Sequence, residues 1–501
     1  MPPDTTPSFN LFDEPWLPVR WRDDTQGPAP EAVGLQQLLL RSHEITQIAI
    51  ALPPALSALY RILYAITARI TALDEADPGN WRKRRLDVCD RGSLDPAAVT
   101  EFAQRHHARF DLFDAKHPFL QDPRLAHECD PQNTAGVNKL ITTRPSGNNH
   151  SWFRHGSDAA PDLPSADQAA LHLLVWHYYG PSGRCSSRTV GAEKAANMLA
   201  GPLRSTLSYH PEGGTLFETL LAGLTQPESI VSRAADLCPW ERDEQPDPVT
   251  GLPELSGPCS ELTSRSQHAV LLVPDADGQH VRDAFITWAY RRKVPRVGDP
   301  YLIWQTSKDG NPYPRPADSG RALWRDLDAL LLQNPSGSAQ PQRPAVFRTA
   351  FDISDDLRVR ALGFEQDGQA KDTQFVDAST PPVLGLAEDL EPQLAPRIGN
   401  LRFTGETYGR RLDRAVKKAW AAYTDAPKIA DCTWSLEAGT RYWPAAEHEF
   451  WKRLNNRDFD TAPAAFLRLA EHAFDDVTAR ALGTLRGAKA CSKARAELYR
   501  A

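Results

Sequence analysis

The sequence lacks an apolar run long enough to cross a membrane, and its cysteines form no closely spaced pair. The longest apolar stretch, residues 45–66, is interrupted by Pro53 and Pro54 and contains Arg61, so it predicts two buried helices. The seven cysteines are dispersed, which is typical of reduced thiols in a cytoplasm and not of a disulfide framework. Residues 1–16 have neither a basic region nor an apolar core, so no signal peptide is expected.

Catalytic motifs are also missing from the sequence. It contains no HExxH or GxSxG pattern, and residues 483–489, GTLRGAK, have the wrong spacing for a phosphate-binding loop. Cys238 and Cys259 are too isolated to supply the paired ligands of a zinc site. We therefore expect a protein that is not an enzyme and that holds no metal or cofactor. A hydrolase built from scattered His and Asp side chains is the alternative.

The charge balance excludes a general coating of nucleic acid. Lysine and arginine number 57 against 64 acidic residues, which gives a formal net charge of −7. Any contact with nucleic acid must therefore come from local basic patches. The hydrophobic fraction of 41% and the charged fraction of 24% are those of a globular protein, and 501 residues predict two or three domains.

Hydrophobic periodicity predicts an α+β fold. Helical spacing occurs at residues 55–70, 97–113, 166–179, 194–207 and 216–224, whereas residues 75–96 have the composition of a loop. Alternating segments predict two hairpins, with strands at 268–274 and 281–290 and at 357–364 and 373–376. Beyond about residue 380 the pattern is helical and predicts an antiparallel four-helix bundle. The predicted domains are a mixed α/β N-terminal domain with small antiparallel sheets, residues 1–375, and the bundle, residues 376–501.

The segment VWHYYGPSGRCSSR, residues 175–188, is the most informative one for function. A helix with aromatic residues ends in a Gly-Pro-Ser-Gly turn, whose small side chains allow the backbone to approach another polymer closely. Arg184 and Arg188 follow and can supply charge directed at phosphates. An ordinary helix cap followed by a surface turn is the alternative interpretation.

Basic and aromatic residues alternate in two further segments, as is typical of contacts with single-stranded nucleic acid. The irregular segment 130–162 contains the pair Trp152 and Phe153 near Arg154, although these aromatics can also pin the loop onto the core. The densest basic patch lies at residues 289–308. It includes Arg291, Arg292 and Lys293, and a solvated charged face is its alternative explanation.

A collinear set of segments resembles one known family. The segments are NLFDEPWLPVR at 10–20, FDLFDAKHPFLQD at 110–122, SGNNHSWF at 146–153, YYGPSGR at 178–184, GPLRST at 201–206, RALWRDLDALLL at 321–332 and YWPAAEHEFWKRL at 442–454. Together they are similar to the large subunit of the type I-E CRISPR surveillance complex, the CasA family of Cascade. The resemblance covers essentially the whole chain.

The resemblance implies a function in RNA-guided DNA recognition. Members of the family have no nuclease activity, recognise the protospacer-adjacent motif of double-stranded DNA and help to open the duplex for pairing with guide RNA. They recruit a separate helicase–nuclease. The implied partners are guide RNA, target double-stranded DNA, the helicase–nuclease and the other Cascade subunits, namely the backbone, small and 5′-handle-binding subunits. A purely architectural subunit of a ribonucleoprotein, without direct DNA readout, is the alternative.

The resemblance also implies roles for particular residues. Contact with guide RNA and neighbouring subunits falls on Asn148, Asn149, Trp152, Phe153 and Arg154. The family's glycine loop, which recognises the motif from the minor groove, corresponds to Ser182, Gly183 and Arg184. Ser182 and Arg184 stand where glycines are usual, so the motif preference is open.

Two further family features correspond to less defined positions. A lysine that reaches the minor groove falls among Arg291, Arg292 and Lys293, and the sequence does not choose between them. A glutamine that wedges the duplex open corresponds to Gln342 or Gln340. Some family members hold zinc with four cysteines, which this chain lacks near Cys238.

Overall fold

The computed structural model describes residues 7–146, 157–295, 298–333, 341–367, 371–425 and 429–500. Helices and small antiparallel sheets occur together, and the C-terminal region is helical, so the α+β prediction is confirmed. The chain divides into two compact units. The first comprises Met1–Trp304, Pro312–Ser319 and Pro344–Gly385, and the second comprises Gln305–Asn311, Gly320–Arg343 and Leu386–Ala501. The domain boundary between residues 375 and 376 remains a prediction.

The strands form small antiparallel sheets. Their bounds are β1 Leu17–Trp21, β2 Ala32–Val33, β3 Ile45–Ile48, β4 Gly183–Val190, β5 Glu193–Met198, β6 Leu207–Glu212, β7 His268–Pro274, β8 Val281–Trp288, β9 Trp304–Thr306, β10 Pro312–Pro314, β11 Arg358–Asp367 and β12 Lys371–Ser379. Strand β1 lies between β2 and β3, and β11 lies between β6 and β12. Strands β4 and β5 form one hairpin, and β7 and β8 form another.

The helices range from single turns to a rod of 30 residues. Their bounds are α1 Leu35–Leu40, α2 Pro53–Thr71, α3 Pro78–Cys89, α4 Pro96–His106, α5 Leu125–Glu128, α6 Val137–Leu140, α7 Ala166–Tyr179, α8 Leu216–Ala222, α9 Pro258–Thr263, α10 Leu327–Leu331, α11 Ala395–Thr424, α12 Thr433–Asn456, α13 Ala462–Thr478 and α14 Leu485–Arg495. No helix in the described ranges is both long and apolar enough to cross a membrane.

Helices α2 and α7 form the centre of the first unit and pack against each other. Pro53 and Pro54 begin α2, where the missing N–H groups cost nothing, and almost the whole helix is buried. Its Arg61 is fully buried and forms an ion pair with Asp299, with 2.9 Å between the guanidinium and a carboxylate oxygen. Helix α7 is likewise buried along most of its length and ends at Gly180. It therefore fixes the start of the loop that follows.

Three predictions about secondary structure were wrong. The first part of residues 45–66 is strand β3, paired with β1, and not a helix. Residues 75–96 contain α3, which is capped by Asp77, whose carboxylate accepts a hydrogen bond from the Gly79 N–H. Most residues of α3 are exposed and many are charged, so few apolar residues mark the helical period in the sequence. Residues 194–207 contain β5, because pairing with β4 overrides the local helical preference.

The helical part of the second unit is built around α11, which packs against α12, α13 and α14. The ring centroids of Trp324 and Phe450 lie 5.0 Å apart, and the Tyr442 hydroxyl donates to the Gly405 carbonyl at 2.6 Å. Aromatic side chains thus pack against amphipathic helices in this region, as expected for the core of a bundle.

Candidate nucleic-acid interface

The loop after α7 is exposed at the three residues to which the sequence assigned motif recognition. Ser182, Gly183 and Arg184 are exposed, whereas Gly180 at the end of the helix is buried. Strand β4 begins at Gly183, so the turn predicted from the sequence leads directly into a hairpin. The side chain of Arg184 and the backbone of Gly183 are thus presented together to the surroundings.

Gly183 has a conformation and an environment that suit close approach by another molecule. Its φ of +135° lies in a region that residues with side chains rarely adopt. A Cβ atom built on this residue would have no heavy atom within 4 Å. The space beside the backbone is therefore open on this side of the loop.

The backbone on either side of this open position is held in place. The imidazole of His268 lies with Nε2 3.1 Å from the Pro181 carbonyl oxygen, and the N–H of Gly201 donates to the Gly180 carbonyl at 2.9 Å. Burial lowers the pKa of His268 to about 4, so the ring is neutral at pH 7 and Nε2–H is the donor. A hydrogen bond of 2.9 Å from Lys139 Nζ to the Arg184 carbonyl fixes the other side. Partial burial lowers the pKa of Lys139.

Arg188 lies in the same strand as Arg184 but is fully buried. Its guanidinium donates to Glu128 at 2.7 Å and to Asp122 at 2.8 Å, and its Cζ lies 5.0 Å from the centroid of the Trp288 ring. All of these contacts of the guanidinium are with buried or half-buried residues of the protein. The side chain has no surface for a phosphate, so burial does not support the DNA contact expected of Arg188, and we assign it a structural role.

The basic segment is joined to the glycine loop through the hairpin. Asn197 on β5 lies opposite Arg184 on β4, and Arg291 contacts Asn197 at 3.5 Å. Arg291 also forms an ion pair of 2.9 Å with Glu193 and lies over the Trp288 ring, with 5.2 Å between Cζ and the centroid. The structure therefore brings together the glycine loop and the start of the basic cluster, which are about a hundred residues apart in sequence.

Arg292 and Lys293 are both exposed. Arg292 donates to the Thr250 carbonyl at 3.2 Å. Lys293 lines a groove of about 380 Å³ whose wall includes Gly201, the residue that supports the glycine loop. Among the three cations of the cluster, Lys293 is thus the one that shares a groove with the segment next to the loop.

The remaining predicted site residues belong to the second unit or lie outside the described residues. Gln342 is exposed and belongs to the second unit. The predicted RNA and subunit contacts lie outside the described residues: Asn148, Asn149, Trp152, Phe153 and Arg154. The alternative wedge residue, Gln340, also lies outside them.

Sequence reasoning missed several residues that shape the site. Lys139 donates to the Arg184 carbonyl, and Asn197 on β5 lies opposite Arg184. Arg204 donates to the Tyr179 carbonyl at 3.0 Å and lines the groove that contains Lys293. Arg204 lies in the GPLRST segment, which was the available signal. Asn197 carries no local signal, and only the folded chain places it and Lys139 beside Arg184.

Comparisons with known proteins identify the family. The model of the family described as CRISPR-associated protein Cse1 matches residues 10–481. The CasA/Cse1 protein of Thermus thermophilus is 30% identical over 502 residues, which cover 95% of this chain and 90% of that protein.

Solved structures give the same assignment. One chain of a CRISPR RNA-guided surveillance complex is 42% identical to this chain, with a TM-score of 0.88, and the alignment covers 99% of this chain and 100% of that one. Cse1 of Thermobifida fusca is 19% identical, covers 98% of both chains with a TM-score of 0.76, and shows the shared fold. The chain therefore belongs to the CRISPR-associated Cse1 family, also called CasA, as its ordered sequence segments predicted.

Proposed function

We propose that this chain, the large subunit of a CRISPR RNA-guided surveillance complex, recognises the protospacer-adjacent motif of double-stranded DNA through Ser182, Gly183 and Arg184. The observation that carries the proposal is the exposed bend at Gly183, which has open space beside its backbone while its flanks are held by hydrogen bonds. A rigid bend with small side chains can place backbone donors against base edges.

The physical demands of the minor groove support this role. The groove is about 6 Å wide and offers few distinguishing groups, so a reader needs a thin, well-positioned backbone and not a bulky side chain. Gly183 supplies the thin backbone, and Arg184 supplies a cation for the negative potential of a narrow groove. Ser182 adds a hydroxyl that can donate or accept.

The neighbouring cations fit the phosphates on either side of such a contact. Arg292 and Lys293 are exposed, and Arg291 lies closest to the hairpin. Each phosphate neutralised releases counterions, so these residues contribute affinity without sequence preference. In this proposal Lys293 is the cation that enters the DNA minor groove together with the glycine loop. The reason is that Lys293 lines the same groove of the protein surface as Gly201.

Membership of the family supports the rest of the proposal. The chain helps to unwind the duplex beside the motif, with Gln342 as the wedge, and recruits the helicase–nuclease, which cuts the DNA. The segment with Trp152 and Phe153 contacts guide RNA and neighbouring subunits in the cytoplasmic complex. The chain itself binds and positions nucleic acid and catalyses no reaction.

The test is a gel-shift series with the reconstituted complex, target DNA and every short flanking motif. The wild-type complex should discriminate between motifs, and Arg184→Ala should weaken binding to the preferred motif by about tenfold, as loss of a charge-assisted contact predicts. Lys194→Ala, at the other end of the same hairpin, is the matched control and should bind like the wild type. If the Arg184→Ala complex binds the preferred motif as tightly as the wild type does and discriminates between motifs equally well, the assignment is refuted.

A second measurement separates motif recognition from a purely architectural role. If the chain only joins other subunits, neutralising Arg291, Arg292 and Lys293 together will leave the salt dependence of DNA binding unchanged. In our proposal the slope of log affinity against log salt becomes smaller, by roughly one for each phosphate that is no longer neutralised.

Fluorescence of 2-aminopurine beside the motif should show less opening of the duplex with Gln342→Ala than with the wild type.

A further inference from the structure

Helix α11 in the second unit carries five basic residues and one acidic residue between positions 410 and 418. At about 3.6 residues per turn, the basic side chains project from one side of the helix, and Phe403 lies on the same side about two turns earlier. We call this side the α11 cationic face; its members are Phe403, Arg410, Arg411, Arg414, Lys417 and Lys418. The chain as a whole has a net charge of −7, so this local excess of positive charge indicates an anionic partner.

The two lysines of the face are paired with carboxylates, whereas its three arginines are not. Lys417 Nζ lies 2.7 Å from a carboxylate oxygen of Asp413, and Lys418 Nζ lies 2.6 Å from one of Glu497. Within the ranges that the structure describes, no carboxylate lies at ion-pair distance from the three arginines. The guanidinium charges therefore remain available to a ligand.

Glu497 is the acidic group closest to the end of the face, and it is already occupied. A hydrogen bond from Lys418 lowers the pKa of Glu497, and the charges of Arg500 and Arg414 lower it further, so the carboxylate is ionised. Arg500 pairs with the same carboxylate at 3.1 Å. With Glu497 and Asp413 both counted, positive charge still predominates on the face.

Arg410 and Arg414 are exposed and lie one turn apart on α11. Four residues of helix rise about 6 Å, which is comparable with the distance between neighbouring phosphates of one strand. A guanidinium can donate two parallel N–H groups to the oxygens of a phosphate and stays charged at any physiological pH. Arg411 lies beside them, with 5.0 Å between its Cζ and the centroid of the Tyr408 ring. The arginines thus match a run of phosphates better than a single small anion.

Phe403 adds an exposed aromatic ring to the same face. The residue is 55% exposed, and the Cζ of Arg410 lies 5.7 Å from its ring centroid. The Arg410 guanidinium also donates to the Thr407 hydroxyl at 3.4 Å, which holds it near the ring. A base can stack on such a ring while its phosphate meets the guanidinium, but only if the base is unpaired and turned outwards. Ring and cations together therefore favour a single strand over a duplex.

We propose that the α11 cationic face binds single-stranded DNA, namely the strand that is released when the duplex opens. A protein partner fits less well, because the centres of protein interfaces are depleted in charged residues, whereas cations occupy the middle of this face. The source of the strand rests on the unwinding put forward under Proposed function. The affinity of the face for a single strand does not depend on unwinding or on motif recognition.

Fluorescence anisotropy of a labelled DNA strand of mixed sequence, titrated with the purified full-length chain, measures this affinity. Replacing Arg410→Gln and Arg414→Gln together should weaken binding about tenfold. The slope of log affinity against log salt should fall by about 1.4, since each phosphate contact on a single strand contributes about 0.7. The matched control, Arg397→Gln with Arg468→Gln, removes two exposed arginines of α11 and α13 outside the face and should bind like the wild type.

The aromatic part of the face is tested separately. Phe403→Ala should weaken binding of the single strand about fivefold or more and leave binding of a blunt duplex unchanged, because only unpaired bases can stack on the ring. Leu436→Ala, which removes an exposed apolar side chain from α12, is the control and should have no effect. Circular dichroism and melting curves check the fold of each variant. Binding that is indifferent to both Phe403→Ala and the double arginine variant would overturn the proposal.

Arg184→Ala separates this proposal from motif recognition. The Arg184→Ala chain should bind the single strand like the wild type, because the glycine loop belongs to the first unit. An equal loss with Arg184→Ala and with the double arginine variant would place the strand at the glycine loop and overturn the proposal.

Photochemical cross-linking in the reconstituted complex identifies the occupant of the face. With p-benzoylphenylalanine in place of Phe403, irradiation in the presence of target DNA should label the displaced DNA strand. Cross-links to guide RNA alone, or to a protein subunit alone, would overturn the proposal. If 2-aminopurine fluorescence shows that the complex does not open its target, the proposed unwinding fails, and the anisotropy titration alone decides whether the face binds a strand.

Discussion

The two ends of the β4–β5 hairpin each carry an exposed glycine with positive φ, yet their surroundings differ. Gly183 at one end has a φ of +135°, and Gly191 at the other has a φ of +58°. Neither has a heavy atom within 4 Å of a Cβ built on it. Only the Gly183 end is held by Lys139 and by the buried His268.

This difference shows that an exposed glycine does not define a recognition surface by itself. A turn that only closes a hairpin, as Gly191 does, tolerates substitution because nothing depends on its exact position. A bend that must meet a base edge has to be fixed before binding, since ordering it during binding would cost affinity. The anchors around Gly183 therefore distinguish the candidate site from an ordinary turn.

The largest expected effect comes from breaking the buried attachment of the hairpin. Arg188→Ala should lower the free energy of unfolding by about 3–5 kcal/mol, because it removes a fully buried arginine that pairs with both the buried Asp122 and the half-buried Glu128. Burial of Asp122 would raise its pKa, but hydrogen bonds from Arg124 and the charge of Arg188 outweigh burial and lower it, so the carboxylate stays charged. Urea denaturation measures the loss. The exposed Arg184→Ala should change stability by less than about 0.5 kcal/mol, and equal losses for both variants would contradict the assignment.

The direct test of the comparison replaces the glycine at each end of the hairpin with aspartate. Gly183→Asp should reduce motif-dependent DNA binding by the reconstituted complex about 100-fold, because a side chain is strained at this φ and a carboxylate repels phosphates. Gly191→Asp should bind like the wild type, since Asp tolerates a φ near +58°. Gel shifts with the preferred motif measure both. Similar losses for the two variants would remove the distinction between the ends.

The anchor at His268 should make stability depend on pH. The folded state holds this ring neutral, with a pKa of about 4, whereas the unfolded chain takes up a proton below about pH 6.5. The unfolded state thus binds more protons, and stability falls as the pH drops from 6.5 towards 4. Replacing His268 with Gln should reduce the loss of unfolding free energy between pH 7 and pH 5 by about 2 kcal/mol. Urea denaturation at both pH values tests this, with the exposed His280→Gln as the control.

The smallest expected effect concerns Lys139. Replacing it with Met removes the hydrogen bond to the Arg184 carbonyl while keeping an extended side chain. The bend should become less well fixed, and discrimination between motifs should fall about threefold to tenfold. Gel shifts with a preferred and a poor motif measure the ratio. Lys194→Met is the control on the same hairpin, and an unchanged ratio for Lys139→Met would show that the bend is rigid without this contact.

Prediction from the sequence succeeded where one local pattern dominates. Helix α7 and strand β7 have the predicted bounds, because a buried face imposes a clear period and Gly180 or Pro274 ends the element. It failed at β5, which depends on pairing with β4, and at α3, whose exposed face conceals its period. Arg184 and Arg188 show the same limit within a single strand. Both are arginines beside small residues, and only the packing of α5 and β8 against β4 separates the exposed one from the buried one.

The sequence by itself determined the family, the α+β class and the glycine-containing bend after α7, because these depend on ordered local segments and on the residues in them. Tertiary structure alone decided which residues surround the bend. Folding places Lys139 and Asn197 beside Arg184, and it places Arg291 against Asn197. Contacts between residues far apart in sequence leave no local pattern, so no periodicity or motif could have revealed them.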